Sequence, residues 1–465
     1  MLYHFYDLQH AMLTPARLGA EVTRMLYQHP WNPLSYTQMG RTLAANAELF
    51  ERVTRRFGEP VFGLPETKID GRKVAVVEEI LHKKPFCSLL HFKRLTRRKD
   101  PKVLIVAPMS GHFATLLRGT VEALLPHHDV YITDWIDARQ VPLGAGRFNL
   151  DDYIAYVMEF LEKLGPPVHL IAVCQPAVPV FAAAALMEAA GDPNAPASMT
   201  LMGGPIDPRV SKTQVTELAE QRPLSWFENT VVTEVPHYYP GAYRKVYPGF
   251  VQLGGFMSMN LDRHVGSHMK FYQHLVTGDG ESADAHRKFY DEYLSVMDIS
   301  ADFYLQTVET VFQKHALPKG EMSWKSPRSG KIYPVDPLKI RKTALLTVEG
   351  EKDDISAHGQ TTAAHVLCRN LPAGRQYHHF QESVGHYGIF NGSRWRTQIM
   401  PRIRHFIRQF DKSGDPLPEK DLLAIPDLSP PQWNERIHGI TAVRERLRKQ
   451  AALEGRMEDI LRSYE

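Results

Sequence analysis

The stretch HLIAVCQPAVPVFAAAALMEAAG, residues 169–191, decides the fold of this chain. A run of apolar residues ends at Cys174, and after Gln175 and Pro176 small apolar residues continue with the composition of a buried helix. Pro176 is acceptable in a first helical turn, because its missing N–H would have no intrahelical partner there. The stretch therefore predicts a strand, then a tight turn bearing a thiol, then a helix whose N-terminus favours negative charge at the turn.

The same alternation extends to both sides of this stretch. Apolar strand-like runs and amphipathic helical runs take turns from residue 102 to about 205, and Asn149 is a candidate N-cap for the helix at 150–165. After a long interruption, strand-like runs at 342–350 and 375–381 are each followed by a predicted helix, at 358–371 and 393–410. Short buried strands alternating with helices predict a mostly parallel central sheet with helices on both faces.

The interruption suggests an inserted module. Two helical patterns near the N-terminus, each with a Thr or Ser near its start, and a strand pair joined by a Lys-Lys-Pro turn precede the alternating region. The predicted organisation is an N-terminal helical segment at 1–67, a first core part at 68–207, an inserted cap at 208–336, a second core part at 337–412, and a linker with a C-terminal helix at 413–465.

Composition excludes several classes of protein. The 465 residues are 43% hydrophobic and 23% charged with a formal net charge of +3, which gives no reason to expect a polyanionic partner. The three cysteines form no CxxC pair, so neither a metal site nor a disulfide framework is expected. No secretory signal or membrane-spanning run is recognisable, so we expect a cytoplasmic protein without a metal or other cofactor.

The turn at Cys174 fits the nucleophile elbow of α/β-hydrolases, which lifts a nucleophile to the carboxyl edge of the sheet. The usual pattern is G-x-S-x-G, whereas this chain reads A-V-C-Q-P. Only Ala172 is small at the expected places, and Pro176 stands at the second glycine position. The pentapeptide by itself slightly favours a buried, inert cysteine at a strand end.

The partners that a nucleophile needs follow in the right order. Asp353 comes just after the strand at 342–350, and His386 follows the next strand beside Gly385. Nucleophile, acid and histidine is the chain order of α/β-hydrolases, so His386 is predicted to take the thiol proton and Asp353 to orient the imidazole. Asp354 and Asp207 are the alternative acids, with the G-x-x-D spacing favouring Asp353.

Acyl transfer also requires hydrogen-bond donors for the oxyanion. The backbone N–H of Gln175, directly after the nucleophile, is one candidate, and the N–H of Met109 or Ser110 in the turn after the strand at 102–108 is the other. Ser110 is also a rival nucleophile, but it lies on the wrong turn. His112 is interpreted as a loop histidine.

Several motifs together resemble a known family. The segments VAPMSGHFATLLRGTV, VCQPAVPV, TLMGGPIDPR, EGEKDDIS and SVGHYGIF are similar to those of intracellular polyhydroxyalkanoate depolymerases, which degrade poly(3-hydroxybutyrate) of storage granules. The resemblance runs from the N-terminal helices to about residue 410. It is more distant from the polyhydroxyalkanoate synthases, whose elbow is G-x-C-x-G. It implies an α/β-hydrolase fold with Cys174 as nucleophile, Asp353 as acid and His386 as base.

The resemblance also implies an amorphous intracellular polyester as substrate. The cap is rich in aromatic and methionine side chains that could line an apolar crevice: Trp226, Phe227, Tyr238, Tyr239, Tyr243, Tyr247, Phe250, Phe256, Met257 and Met259. Of these, we select Trp226, Tyr238, Tyr239, Phe256 and Met257 as candidate substrate contacts.

Other functions and partners stay open at this stage. Coenzyme A could replace water as the acyl acceptor, and the terminal helices could support granule binding or a homodimer. The alternatives to a granule-associated depolymerase are a synthase-like acyltransferase, a general esterase or thioesterase, and a non-catalytic granule protein.

Overall fold

The computed structural model describes residues 2–411, and its N-terminal part is a helical hairpin. Helices α1 (Leu2–Gln28) and α2 (Gln38–Thr54) pack against each other, and residues 29–37 connect them. The Thr37 side chain caps α2 by accepting a hydrogen bond from the Gly40 N–H at 3.1 Å. Helix α1 begins at Leu2 and continues through Pro15, within the predicted N-terminal helical segment.

A nine-stranded sheet forms the centre of the molecule. Its strands are β1 (Glu66–Ile69), β2 (Arg72–Lys83), β3 (Cys87–Arg94), β4 (Lys102–Val106), β5 (Asp129–Trp135), β6 (Val168–Val173), β7 (Ser198–Met202), β13 (Ala344–Gly350) and β14 (Gln376–Gln381). They lie in the order β1-β2-β3-β5-β4-β6-β7-β13-β14. The strands from β5 to β14 are parallel, and β1, β2 and β3 add antiparallel pairs at one side. The predicted mostly parallel sheet is confirmed.

Helices cover the sheet, and most follow the predicted segments. They are α3 (Arg118–Leu124), α4 (Leu150–Leu164), α5 (Ala177–Ala190), α12 (Ala364–Leu367), α13 (Gly392–Arg394) and α14 (Met400–Phe410). Asn149 caps α4 as expected, in a reciprocal capping box with Asp152.

The helix predicted at 358–371 was too long, because α12 has four residues. The chain before α12 turns around the buried carboxylate of Glu349, which accepts the N–H groups of Gly359 at 3.0 Å, Thr361 at 2.9 Å and Thr362 at 2.8 Å. These bonds hold the backbone in turns where a regular helix was expected.

The chain between β7 and β13 leaves the central sheet. It contains α6 (Gln214–Gln221), α7 (Leu224–Val231), β8 (Thr233–Glu234), β9 (Lys245–Tyr247), α8 (Gly249–Met259), α9 (Leu261–Thr277), α10 (Gly280–Tyr293), β10 (Ile299–Ser300), α11 (Ala301–Thr307), β11 (Ser323–Lys325) and β12 (Ile332–Pro334). Helices predominate, as expected, but five short strands form two small sheets of their own. Asp298 is a buried residue of this segment. Its carboxylate accepts the Gly249 N–H at the start of α8, and it also accepts a hydrogen bond from Tyr3, which joins the segment to α1.

The predicted C-terminal linker and helix at 413–465 lie outside the described residues. Among the helices of residues 2–411, none combines the length and the apolar character that crossing a membrane requires.

Candidate active site

Cys174 occupies a sharp turn between β6 and α5. Its φ of 68° lies in the left-handed region, where a residue with a side chain is strained. The Cys174 N–H donates to the carbonyl of Met202 at 2.7 Å, which ties the turn to the end of β7. Pro176 directly precedes α5 with a φ of −58°, compatible with a helix start. The half-buried thiol therefore lies at the carboxyl edge of the sheet, ahead of a helix N-terminus.

The space that this turn needs comes from a neighbouring strand. A Cβ atom on Gly204, just after β7, would lie 2.1 Å from the Ala177 Cβ and 2.8 Å from the Cys174 carbonyl oxygen. The Thr361 hydroxyl fixes Gly204 by accepting from its N–H at 2.8 Å and donating to its carbonyl at 2.9 Å. Only glycine therefore fits at position 204 without displacing the turn.

The predicted acid and histidine lie in contact with each other. His386 Nδ1 donates to Asp353 Oδ2 at 2.8 Å, and both side chains are buried. The other carboxylate oxygen of Asp353 accepts the N–H groups of Ile355 at 3.0 Å and Ser356 at 2.8 Å. These three bonds fix the carboxylate and leave Nε2 of His386 as the ring nitrogen for proton exchange.

The structure brings Cys174 into hydrogen-bonding contact with His386. Burial alone would lower the pKa of His386, but the charges of Asp353 and Cys174 and the hydrogen bonds to both raise it well above the usual range. The raised pKa favours the protonated form of the imidazole once the ring has accepted a proton. Chemically, it is a thiol next to a base that a buried carboxylate orients.

The alternative residues make different contacts. Asp354 accepts a hydrogen bond from Asn260 at 2.9 Å. Asp207 binds the guanidinium of Arg209 through both carboxylate oxygens, at 2.9 Å each. His112 is buried, and its Nε2 donates to the Tyr293 carbonyl at 3.0 Å. Burial lowers the pKa of His112 to about 4, so its ring is neutral near pH 7.

One of the predicted oxyanion donors is already engaged by a side chain. The Met109 N–H donates to the side-chain Oε1 of Gln175 at 3.3 Å. This amide side chain therefore covers the Met109 donor. Met109, Ser110 and Gln175 all line the cavity in front of the thiol.

That cavity has a volume of about 520 Å³ and contains Cys174 and His386 in its wall. Apolar side chains of the inserted segment make up much of the remaining wall: Val215, Leu218, Phe227, Tyr247, Phe256, Met259, Phe303, Tyr304, Val308 and Phe312. An apolar wall with a few polar groups is typical of a site for an uncharged ligand.

Of the five predicted substrate contacts, Phe256 lines this cavity, whereas Trp226, Tyr238, Tyr239 and Met257 do not belong to its described wall. Tyr238 is 52% exposed and donates to Asp7 of α1, and Tyr239 packs on Tyr3 of the same helix. Trp226 packs edge-on against Phe227 at a centroid distance of 5.0 Å. These four selections are corrected, because composition does not reveal which face of a cap element turns inward.

Two further residues at the site were not predicted. Gly203 has a φ of 55°, and a Cβ there would lie 3.1 Å from Asp353 Oδ2 and 3.2 Å from His386 Cε1. The sequence feature that could have revealed Gly203 is the Gly203-Gly204 pair, which directly follows β7, the strand after the one that carries Cys174. Tyr387 lines the cavity next to His386 and contacts Tyr293, and burial raises its pKa well above the usual range.

The strand order and the strand–turn–helix at Cys174 define an α/β-hydrolase fold. Three solved structures of low identity are similar: a thermophilic esterase from Thermogutta terrifontis with malate bound (13% identity, 74% of this chain, 97% of that chain, TM-score 0.38), a putative non-heme bromoperoxidase from Mycobacterium tuberculosis (12%, 74%, 98%, TM-score 0.40) and a Paleococcus ferrophilus monoacylglycerol lipase (12%, 68%, 97%, TM-score 0.37). Among curated proteins, none matches the chain.

The family model described as PHB de-polymerase C-terminus matches residues 203–411. The matched residues, fewer than half of the chain, are therefore similar to the C-terminal part of a poly(3-hydroxybutyrate) depolymerase. This confirms the family resemblance, and the depolymerase domain supports ester hydrolysis as the activity. The match includes Asp353 and His386 and begins after Cys174.

Proposed function

We propose that this protein is an intracellular depolymerase that cleaves the ester bonds of amorphous short-chain polyhydroxyalkanoate through Cys174, His386 and Asp353. The observation that carries the proposal is an apolar cavity with a thiol and a histidine in its wall, the histidine being bonded to a buried carboxylate. A polyester chain has no charge and offers only ester oxygens as hydrogen-bond acceptors, which suits such a wall.

In the proposed acylation step, His386 takes the proton of Cys174, and the thiolate attacks the ester carbonyl carbon. The carbonyl oxygen becomes an oxyanion, and as the tetrahedral intermediate collapses, the C–O bond to the leaving alcohol breaks. His386 gives its proton to the departing oxygen. The products of this half-reaction are a thioester on Cys174 and a shortened polymer with a free hydroxyl end.

The same histidine serves the second half-reaction. Formation of the thioester removes the negative charge of Cys174, one of the causes that raise the pKa of His386. The pKa of His386 then falls, which makes the ring a better acceptor for a proton from water. Water adds to the thioester, and the acid leaves while Cys174 regains its proton.

The oxyanion is assigned to the backbone N–H of Gln175 together with that of Met109 or Ser110. Since the Gln175 side chain covers the Met109 N–H at 3.3 Å, binding of the substrate carbonyl would displace this amide. The exchange replaces one weak hydrogen bond with a bond to a developing negative charge, which is stronger.

The proposed location is the surface of storage granules in the cytoplasm. A cavity of about 520 Å³ holds only a short stretch of polymer, so a chain must leave its neighbours to enter. Chains of an amorphous granule are mobile enough to do so, whereas chains in a crystal are held by their packing. Water is the proposed acyl acceptor, and coenzyme A is the alternative acceptor.

The test compares native amorphous granules, crystalline polymer and a small p-nitrophenyl ester as substrates. We expect the wild type to degrade amorphous granules, to leave crystalline polymer nearly untouched and to release 3-hydroxybutyrate units. Cys174→Ala should abolish turnover of both the granules and the small ester, while Cys174→Ser retains a fraction of it. Full activity of Cys174→Ala would exclude the cysteine mechanism, and polymer gain from a hydroxyacyl thioester would favour a synthase.

A further inference from the structure

The outer face of α1 exposes an unusual number of apolar side chains. Seven of them are each more than half exposed: Phe5, Leu8, Met12, Leu18, Val22, Met25 and Leu26. This face points away from α2, and within residues 2–411 nothing packs on it. A helix of 27 residues is roughly 40 Å long, so the stripe spans most of one side of a small protein.

The middle of this face carries no charge. Of the four charged residues of α1, Arg17, Glu21 and Arg24 lie on the other side, and Asp7 lies at the edge of the face, in line with Leu18 and Met25. Arg17 donates to the Thr54 carbonyl at the end of α2 at 2.6 Å, and Asp7 pairs with an arginine beyond that end. The charged side of α1 is therefore its inner side, the reverse of an ordinary surface helix.

The spacing of the outer residues is that of a helix that packs on another helix. Steps of three and four residues alternate along the sequence Phe5, Leu8, Met12, Pro15, Gly19, Val22 and Leu26. These are a and d positions of three consecutive heptads, and Ala11, Leu18 and Met25 add the flanking g positions. A face built from a, d and g positions is typical of a helix inside a bundle.

The sizes of the side chains indicate how a partner helix would cross. Pro15 and Gly19 are the small members of the row and lie at its middle, and a Cβ on Gly19 would meet no atom within 4 Å. Large residues lie on both sides of this gap. An antiparallel partner that crosses at Pro15 and Gly19 would place its own large residues beside those of α1.

We propose that the outer face of α1 binds the same face of a second copy of this chain, with the two α1 helices antiparallel around a two-fold axis. Leu8 and Met12 then pack against Leu26 and Val22 of the partner subunit. Because the contact is isologous, the reverse contacts form as well. With α2 behind each α1, the interface is a four-helix layer.

The exposed area can be compared with what a dimer buries. At roughly 100 Å² for each large apolar residue that is more than half exposed, the seven residues contribute about 700 Å². A standard interface buries about 800 Å² per partner. A flat polymer surface would require no heptad spacing and no small residues at the centre of the stripe, so these two features favour a helical partner.

Sedimentation or light scattering of the full-length protein at low micromolar concentration tests the interface. We expect a dimer for the wild type and a monomer for the double variant Leu8→Glu and Val22→Glu. Ile332→Glu, which changes a residue 68% exposed on β12, is the matched control and should remain dimeric. Unchanged circular dichroism and unchanged hydrolysis of a small ester would show that the double variant is folded.

Disulfide trapping tests the orientation. The pair Leu8→Cys with Leu26→Cys should form a covalent dimer under mild oxidation, while each single variant should not, because an antiparallel crossing separates identical residues. Covalent dimers from Leu8→Cys alone would overturn the antiparallel arrangement. A monomeric wild type, or a double glutamate variant that stays dimeric, would overturn the interface. If the wild type is monomeric and binds polymer particles, and the double glutamate variant does not bind them, the face contacts polymer and the dimer proposal is overturned.

Discussion

Replacement of Gly203 by alanine probes the geometry of the acid and the histidine without changing either residue. Its φ of 55° is costly for alanine, and the added Cβ would lie 2.7 Å from Ile389 Cδ1, 3.1 Å from Asp353 Oδ2 and 3.2 Å from His386 Cε1. The end of Ile389 can rotate away. Asp353 and His386 cannot yield independently, because a 2.8 Å hydrogen bond joins them.

Two effects of different size follow from this geometry. The left-handed backbone conformation costs alanine about 1–2 kcal/mol of stability. The added Cβ pushes the imidazole away from its position beside the Cys174 thiol by up to about 1 Å. A misplacement of 1 Å costs about 100-fold in rate. We therefore expect Gly203→Ala to lower kcat by one to two orders of magnitude and to lower stability modestly.

Gly191→Ala is the matched control for this variant. Gly191 ends α5 with a φ of 66°, and a Cβ there would meet nothing within 4 Å. It carries the same backbone cost without any contact at the site. Denaturant unfolding should show similar losses of free energy for both variants, whereas hydrolysis of a p-nitrophenyl ester should be impaired only in Gly203→Ala. Equal kcat values for the two folded variants would refute the reasoning that position 203 adjoins the reacting groups.

Three further predictions concern the thiols, the histidine and the supporting hydroxyl. Iodoacetamide at neutral pH should label Cys174 well before Cys87 and Cys368, since both are fully buried and burial raises their pKa values; equal rates in the native protein would contradict this. The pKa of His386, followed by NMR, should lie above about 6.5 and should fall in Cys174→Ala; the stability that His386 contributes is complete below about 6.5 and is lost as the pH rises through its raised pKa. Thr361→Val leaves the buried Gly204 N–H without an acceptor, while the Gly204 carbonyl keeps the Ile206 N–H, and should lower the unfolding free energy by about 1–3 kcal/mol, whereas Thr361→Ser should not; equal losses would argue against these bonds.

The sequence was sufficient for the fold class, for a physical reason. Strands buried on both faces read as continuous apolar runs, and helices between them keep their own periodicity, as at Asn149 and the helix it caps. The position of β5 between β3 and β4 could not be predicted, because strand order depends on contacts between distant segments. The predicted helix at 358–371 failed because Glu349, ten residues away, binds its backbone.

In the candidate site, too, some residues could be predicted from the sequence and others could not. Cys174, Asp353 and His386 each follow a strand that ends at the same edge of a parallel sheet, so their proximity follows from topology together with sequence order. Their roles in catalysis stay a prediction. Four of the five selected cap residues failed because aromatic composition does not encode orientation: Phe256 turns to the cavity, while Tyr238 turns to α1.

The imperfect elbow now has a structural explanation. Glycines in G-x-S-x-G provide room at a strained turn, and their absence around Cys174 left an inert cysteine as a reasonable interpretation. The room is provided from outside the motif, because Gly204, just after the neighbouring strand β7, faces the Cys174 carbonyl and Ala177. A backbone that Thr361 holds in place can keep this space open, so Pro176 can start the helix without crowding the turn. The elbow requires a residue without a side chain next to its turn, and this chain can supply that residue from thirty positions away in the sequence.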